Sequence, residues 1–375
     1  MGERTEKTAN IDYRFKLLYA IGMILVVSNH CGGGGTQFLL YDWFPPYSYH
    51  IALFIFISGY FYKDVPNLKL GSYLWKKTKT LMIPMYLWNF FYAGLILLLS
   101  PLGFTIGTPI TLEKLFWEPL TSGHQFWYNL GSWFVFPLFL TQCYNAVLRK
   151  LAQLLHLRIS EWLWFLHGLA FGFCGVILAS RGYHYDAWRI LTRMAYFVPF
   201  YYLGILYRAK LEKRDTSSNL TYFSLLFLLN ILIAYRYGSI PSFTPAWCHD
   251  FTMGPVMPFL SGFLGIAFWL RFAKVLEPAL GRSKYVNLIA DNTYCIMINH
   301  YLGFMLVKLG FALLHLFTPI CKSFSMEQFL TAWNYQYLPN DMWQFNLIYA
   351  TAGIALPIVM QKGLDRILKK LRKAK

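Results

Sequence analysis

Charge is scarce in this 375-residue chain: Asp, Glu, Lys and Arg make up 14%, against 57% hydrophobic residues. A soluble globule carries roughly a quarter charged residues, so this composition does not supply a water-facing surface for a fold of this size. Acidic residues are the scarcest, 17 against 34 Lys and Arg, giving a net charge of +17. The six cysteines form no CxxC pair, which removes the zinc and dithiol redox signatures. No phosphate-binding glycine loop, metal-ligand spacing or hydrolase nucleophile elbow occurs. No internal repeat of the transporter kind is evident. The longest segments between apolar runs, 100–132 and 317–344, are too short for an independent soluble core.

What the chain has is long apolar runs and aromatic rings. Phe, Tyr and Trp make up 19%, and such residues gather at bilayer interfaces or line carbohydrate sites. A membrane span needs about 20 largely apolar residues. Ten candidates follow one another, at 15–31, 50–62, 81–99, 133–148, 162–179, 194–207, 220–235, 255–270, 288–313 and 345–360. With the N-terminus inside, the alternate connections and the tail hold 27 of the 34 Lys and Arg. The outer segments hold Lys114, Arg181, Arg189, Arg193, Arg236 and Lys322, and Lys308 falls within a span. This alternation is the positive-inside pattern. It predicts an all-α polytopic membrane protein of about ten spans, a single domain over 1–375, with both termini cytoplasmic. Basic residues in short clusters between apolar runs do not make a nucleic-acid groove.

The first apolar run lacks a small-x-small cleavage site and is read as a retained span. Cys143, Cys174 and Cys295 lie inside apolar runs as packing residues, while Cys31, Cys248 and Cys321 fall near the outer face, where a disulfide is open but not indicated. The glycines at 32–35 give a flexible stretch after the first span. The basic tail, 361–375, carries Leu364, Ile367, Leu368 and Leu371 at helical spacing, as in a surface helix on anionic lipid.

Ionisable residues within spans are expensive and mark function by default. His30 ends the first run. It lies 14 residues beyond Lys16, about 21 Å along a helix, which places it in the outer half of the membrane. A neutral imidazole there accepts a proton from a hydroxyl; the alternative is a histidine that hydrogen-bonds at the outer interface. Asn29, Asn299 and His300 are candidates for the same cavity. Ser58-Gly59-Tyr60 reads first as close helix packing, Trp133 as an interface anchor, and Asp291 as a partner for a lysine. Arg181, His184, Asp186 and Arg189 read as solvated loop charge or a glycan contact.

Five stretches carry a family resemblance: the first span through His30; the Phe-rich run into Ser58-Gly59-Tyr60; the basic entry Lys76-Lys77-Thr78-Lys79 with Pro84; Gly131-Ser132-Trp133-Phe134; and Asp291-Asn292-Thr293 leading to Asn299-His300. In this order and spacing the sequence resembles the membrane-bound acyltransferase family 3, which includes bacterial polysaccharide O-acetyltransferases. It departs from that pattern at Tyr19, where the family usually has a basic residue eleven positions before the histidine; Lys16 lies one turn earlier.

The resemblance implies an enzyme of the inner (plasma) membrane. It would move an acetyl or other acyl group from cytoplasmic acyl-CoA, a co-substrate rather than a bound cofactor, to a hydroxyl on an outward-facing glycan or lipid-linked sugar. His30 would be catalytic, deprotonating the acceptor or carrying the acyl group. Arg14, Lys16, Lys76, Lys77 and Lys79 would meet the CoA phosphates, with Ser58 near the donor; ordinary positive-inside anchoring is the other account of the lysines. The alternatives are a transporter or flippase of a lipid-linked sugar, a non-catalytic membrane subunit and a glycan polymerase.

Overall fold

A computed structural model describes residues 11–31, 43–65, 68–251 and 253–373. The glycines at 32–35 and the basic Arg4, Lys7 and Lys375 lie outside them. Among the described residues the chain is helical and has no β-strand. Helices occupy each of the ten apolar runs. They are α1 (Tyr13–Asn29), α2 (His50–Tyr60), α3 (Leu70–Lys77) continuing through a π-turn at Thr78–Met82 into α4 (Ile83–Leu99), α6 (Val135–Leu154) and α7 (Glu161–Ser180). Then follow α8 (Asp186–Leu206), α9 (Asn219–Tyr237), α10 (Met257–Leu280), α12 (Thr293–Phe317) and α14 (Asn346–Lys373). Three short helices intervene: α5 (Leu112–Phe116), α11 (Lys284–Asp291) and α13 (Met326–Thr331).

Six helical stretches among the described residues are long and apolar enough to cross a membrane: Leu70–Leu102, Glu161–Ser180, Asn219–Tyr237, Met257–Leu280, Thr293–Phe317 and Trp343–Leu371. α1, with 17 residues, and α2, with 11, are too short for that measure. α1, α2 and α8 are buried for most of their length, so their neighbours, not lipid, cover them. α1 packs against α2, α10, α11, α12 and α14. α2 lies against α8 at backbone contact, where a methyl group on Gly59 would overlap the Tyr201 carbonyl and one on Gly204 the Phe56 carbonyl. The lipid-facing character sits outside, in exposed residues such as Leu98 on α4, Leu163 on α7, Leu232 and Tyr235 on α9 and Phe317 on α12. A face of this kind suits hydrocarbon and not water.

Three boundaries differ from the sequence reading. α8 begins at Asp186, two turns before residue 194, so Arg189 and Arg193 belong to a helix and not to an outer loop. Asn292 ends α11 and a new helix starts at Thr293. The basic tail is not a separate surface helix: α14 runs unbroken from Asn346 to Lys373, about 42 Å at helical rise.

At the end of the bundle where α1 begins, charges meet charges. Arg14 pairs with Asp12 (2.6 Å) and Glu212 (2.9 Å), Lys16 with Asp291, Arg149 with Glu161 (2.6 Å), and Arg271 with Asp215. At the opposite end the connections fold over the bundle. Thr105 N–H donates to the Leu330 carbonyl (3.1 Å), and Phe104, Ala312, Phe324, Phe329 and Tyr337 form a small apolar cluster.

Candidate functional site

α1 delivers His30 to this opposite end as its C-terminal capping residue, whose N–H donates to the carbonyls of Val27 and Ser28. α12 brings His300 beside it. The two rings stack at 4.9 Å with 11° between planes, and His30 Nδ1 lies 2.9 Å from His300 Nε2. His300 is fully buried, and its Nδ1 lies 2.9 Å from the Met297 carbonyl and 3.1 Å from that of Ile296. A carbonyl only accepts, so His300 Nδ1 carries the proton and its neutral ring presents a lone pair at Nε2. His30 Nδ1 must then donate. That leaves the lone pair of His30 on Nε2, which has no protein hydrogen-bond partner among the described residues. The result is a carbonyl–imidazole–imidazole relay that fixes one tautomer of His30.

His30 lines a cavity of about 170 Å³. A void of about 150 Å³ holds a benzene ring, so this one takes a single six-membered ring or the end of an acyl chain. Its walls come from elements distant in sequence. Tyr47 and His50 enter with the turn into α2; His124 and Trp127 come from the connection before α6; Trp133 and Phe134 stand at the head of α6; Trp247 and Trp333 come from later connections. Trp127 and Trp333 stack at 4.9 Å, and His124 lies flat on Trp247 at 4.3 Å.

The backbone here is forced into unusual shapes. Gly123 has φ +69°, and a methyl group there would overlap Trp133 Cα, so only glycine lets the chain turn His124 against the head of α6. Trp127 has φ +61° and sits at the centre of a tight turn in which Tyr128 N–H donates to the Phe126 carbonyl (2.6 Å). A bulky residue in that region is strained, and such strain gathers at binding sites.

Arg193 holds this end together. It is 1% exposed, with its guanidinium 5.0 Å over the Trp133 ring. It donates to the carbonyls of Thr121 (2.8 Å), Ser122 (3.0 Å) and Ala246 (3.0 Å). No carboxylate pairs with it among the described residues. One side chain thereby ties the connection bearing His124 to the one bearing Trp247.

The other sequence candidates divide clearly. His300 joins His30. Asn29 and Asn299 do not line the cavity: Asn29 Nδ2 donates to the Leu25 carbonyl (2.9 Å), and Asn299 Oδ1 accepts from the Tyr92 hydroxyl (2.8 Å). Ser58 Oγ accepts from Gln142 Nε2 (2.8 Å), tying α2 to α6. Arg14 and Lys16 are held in the ion pairs above, at the far end of α1. Lys76 and Lys79 are exposed beside the π-turn and Lys77 is partly exposed, with Lys77 Nζ 5.4 Å over Tyr73 and Lys79 Nζ 5.0 Å over Trp75. Tyr19 packs against Phe54, 6.0 Å between rings, and Lys16 turns to Asp291 and not toward it. Trp133, read as an interface anchor, is a cavity wall. His124, His50, Arg193, Trp127, Trp247 and Trp333 were not singled out for function. The one local signal for them is a His-x-x-Trp pair, His124 and Trp127, inside a connection of low charge.

The acyltransferase-domain model of acyltransferase family 3 matches residues 12–362. The chain belongs to acyltransferase family 3. No curated protein and no solved structure gives a significant match. As a member of this family the protein is a multi-pass membrane acyltransferase, and the matched region begins at the capping residue of α1 and includes every wall of the His30 cavity.

Proposed function

We propose that the protein transfers an acyl group, acetyl in the simplest case, from cytoplasmic acyl-CoA to a hydroxyl of an extracytoplasmic cell-surface glycan or lipid-linked sugar at the plasma (inner) membrane. The observation that carries this reading is the relay that, among the described residues, leaves the Nε2 lone pair of His30 without a partner beside the cavity. The acceptor O–H gives its proton to His30 Nε2 while its oxygen bonds to the thioester carbonyl carbon. The C–S bond then breaks, and the proton passes from His30 to the departing CoA sulfur. The products are an ester and a free thiol. His300 strengthens the base by accepting from Nδ1 as positive charge develops on the His30 ring, the role that the orienting third group takes in nucleophile–base arrangements.

The donor enters from the basic end. Arg14 and Lys16 already hold carboxylates, whereas Lys76, Lys77 and Lys79 have no acidic partner among the described residues. These three lysines are therefore the better receptors for CoA phosphates, with the acyl-pantetheine arm passing between the helices to His30. The aromatic cavity favours an acceptor ring over a transported ion, and the match to an acyltransferase family supports transfer over transport.

The test is transfer of radiolabelled acetyl from acetyl-CoA to surface glycan in membranes, comparing the wild type with His30→Ala at matched expression. Label in the wild type and none in the variant supports the reading; equal label in both overturns the role of His30. Label found on the protein itself after a denaturing quench, and absent from His30→Ala, would replace direct transfer with an acyl-histidine intermediate.

A further inference from the structure

The relay accounts for His30 and His300 but leaves two other imidazoles of the cavity, His50 and His124, without a role; His50 Nδ1 is held by the Pro46 carbonyl (2.6 Å). His124 is 4% exposed, and its Nδ1 is buried with no hydrogen-bond partner among the described residues. Burial, then the nearby cations Arg193 and Arg189, hold its pKa well below the ordinary histidine value, against a smaller opposing contact with the Ser122 backbone. The ring is therefore neutral at neutral pH, with one nitrogen to donate and one to accept. It is not alone: the six residues 124–129 hold four buried and unpartnered polar side-chain atoms, on His124, Gln125 and Asn129. An orphaned polar atom in a native interior costs about 1–3 kcal/mol and calls for an explanation. Of these residues His124 lines the cavity, where a polar ligand would complete its bonding.

The aromatic rings say which ligand. His124 lies flat on Trp247, and Trp127 flat on Trp333, with the two tryptophans Trp127 and Trp247 6.5 Å apart. Wide ring faces beside hydrogen-bonding groups suit a ligand with apolar C–H faces and polar edges, which is the chemistry of a pyranose. Strain at Trp127, and φ +55° at Cys248 immediately after Trp247, show the backbone bent at both places to present these faces.

We propose that His124, with Trp247, Trp127 and Trp333, forms the subsite that grips the acceptor sugar ring, His124 hydrogen-bonding a ring hydroxyl while His30 takes the proton of the hydroxyl that reacts. Arg193 acts as a positioning residue, holding the two connections so that the rings of His124 and Trp247 meet. This subsite rests on the transfer reading for its purpose, but its binding of a sugar does not require transfer to occur.

The experiment is saturation-transfer NMR on the full-length protein in nanodiscs, with methyl glucoside, methyl galactoside, methyl mannoside and N-acetylglucosamine as probes. Alongside it, acceptor and donor KM and kcat are measured for labelled acetyl transfer. The variants are His124→Ala, His124→Gln, Trp247→Phe and Trp247→Ala, with a thermal melt on each. At least one glycoside is expected to bind the wild type. His124→Ala weakens that binding and raises acceptor KM about tenfold, the loss of one buried hydrogen bond, with donor KM unchanged. His124→Gln restores part of the loss, and Trp247→Phe loses less than Trp247→Ala. Failure of all four glycosides to bind the wild type overturns the subsite, as does unchanged acceptor KM in His124→Ala, or an equal rise in donor KM. Transfer with an acceptor KM indifferent to His124 leaves the transfer reading standing and removes the subsite. Glycoside binding that depends on His124, without acyl transfer to any glycan, does the reverse.

Discussion

The two ends of the bundle solve the same problem, a polar group in an apolar setting, in opposite ways. At the end where α1 begins, cations are matched by carboxylates: Arg149 by Glu161, Arg271 by Asp215, Arg14 by Asp12 and Glu212. At the end where α1 finishes, the buried cation Arg193 is matched only by backbone carbonyls, and the cavity is lined by three neutral-capable imidazoles with Tyr47 and Thr244 among tryptophans. All of the ion pairs among the described residues lie at the first end. A carboxylate near His30 would favour the imidazolium and remove the lone pair that the chemistry needs. Neutral acceptors hold Arg193 and His300 in place without doing so. One end is built to anchor, the other to keep an imidazole basic and unprotonated.

The sharpest break of this contrast is His30→Ala. General base catalysis is worth about 10²–10⁴ in rate, so transfer should fall about a thousandfold with the protein still folded, as judged by an unchanged elution profile in detergent. His300→Ala comes next. It removes the acceptor that selects the His30 tautomer, and kcat should drop about 10–100-fold, by analogy with the loss of groups that orient metal-bound histidines, with acceptor KM near the wild-type value. His300→Gln offers a carbonyl to His30 Nδ1 and should recover part of that loss. A variant in which kcat stays high with Ala at 300 would show that the relay is packing and nothing more.

Arg193 tests whether charge or geometry matters at the aromatic end. Arg193→Met leaves the Thr121, Ser122 and Ala246 carbonyls without their donor, a cost of about 2–4 kcal/mol, seen as a lower melting temperature and a raised acceptor KM. Arg193→Lys keeps the charge but not the fork. It should resemble Met more than Arg; full rescue by Lys would mean that charge alone is needed. The matching change at the other end is Glu161→Gln. Arg149 is 5% exposed and lies between Tyr62 and Trp164, so losing its carboxylate partner should lower stability by about 1–3 kcal/mol. Transfer kinetics should not move, because nothing at that pair reaches the cavity.

This contrast was half legible in the sequence. The apolar runs gave the order of helices, because lipid exposure imposes a strong compositional rule. His30 stood out as a histidine ending an apolar run, and Ser58-Gly59-Tyr60 as a close helix contact, which Gly59 against Tyr201 bears out. Asp291 was read as a lysine's partner and meets Lys16. The aromatic end was not legible. Arg193 was placed in an outer loop because charge marks a span boundary in a window of hydropathy, and only tertiary structure supplies the carbonyls that let an arginine sit inside. His124, Trp247 and Trp333 lie more than 80 residues apart at either step, and no periodicity connects residues that meet only when three connections fold over one cavity. The donor lysines were read as a group of five with Arg14 and Lys16, because two of the acids that occupy those residues, Asp291 on α11 and Glu212 after α8, lie far off in the sequence.

The smallest effect should come from Asp291→Asn. Lys16 and Asp291 form an ion pair in which the carboxylate side chain is 58% exposed, and pairs of that kind contribute about 0–1 kcal/mol because water screens them and both side chains lose freedom. If Lys16 is only an anchor, the variant should melt within a degree or two of the wild type and keep its donor KM. If Lys16 were instead a phosphate receptor held in reserve by Asp291, releasing it would lower the KM for acyl-CoA, and high salt would erase the gain. Measuring donor KM at low and high ionic strength in this one variant therefore separates anchoring from donor recognition at the basic end, the half of the comparison where a charged residue has two jobs open to it.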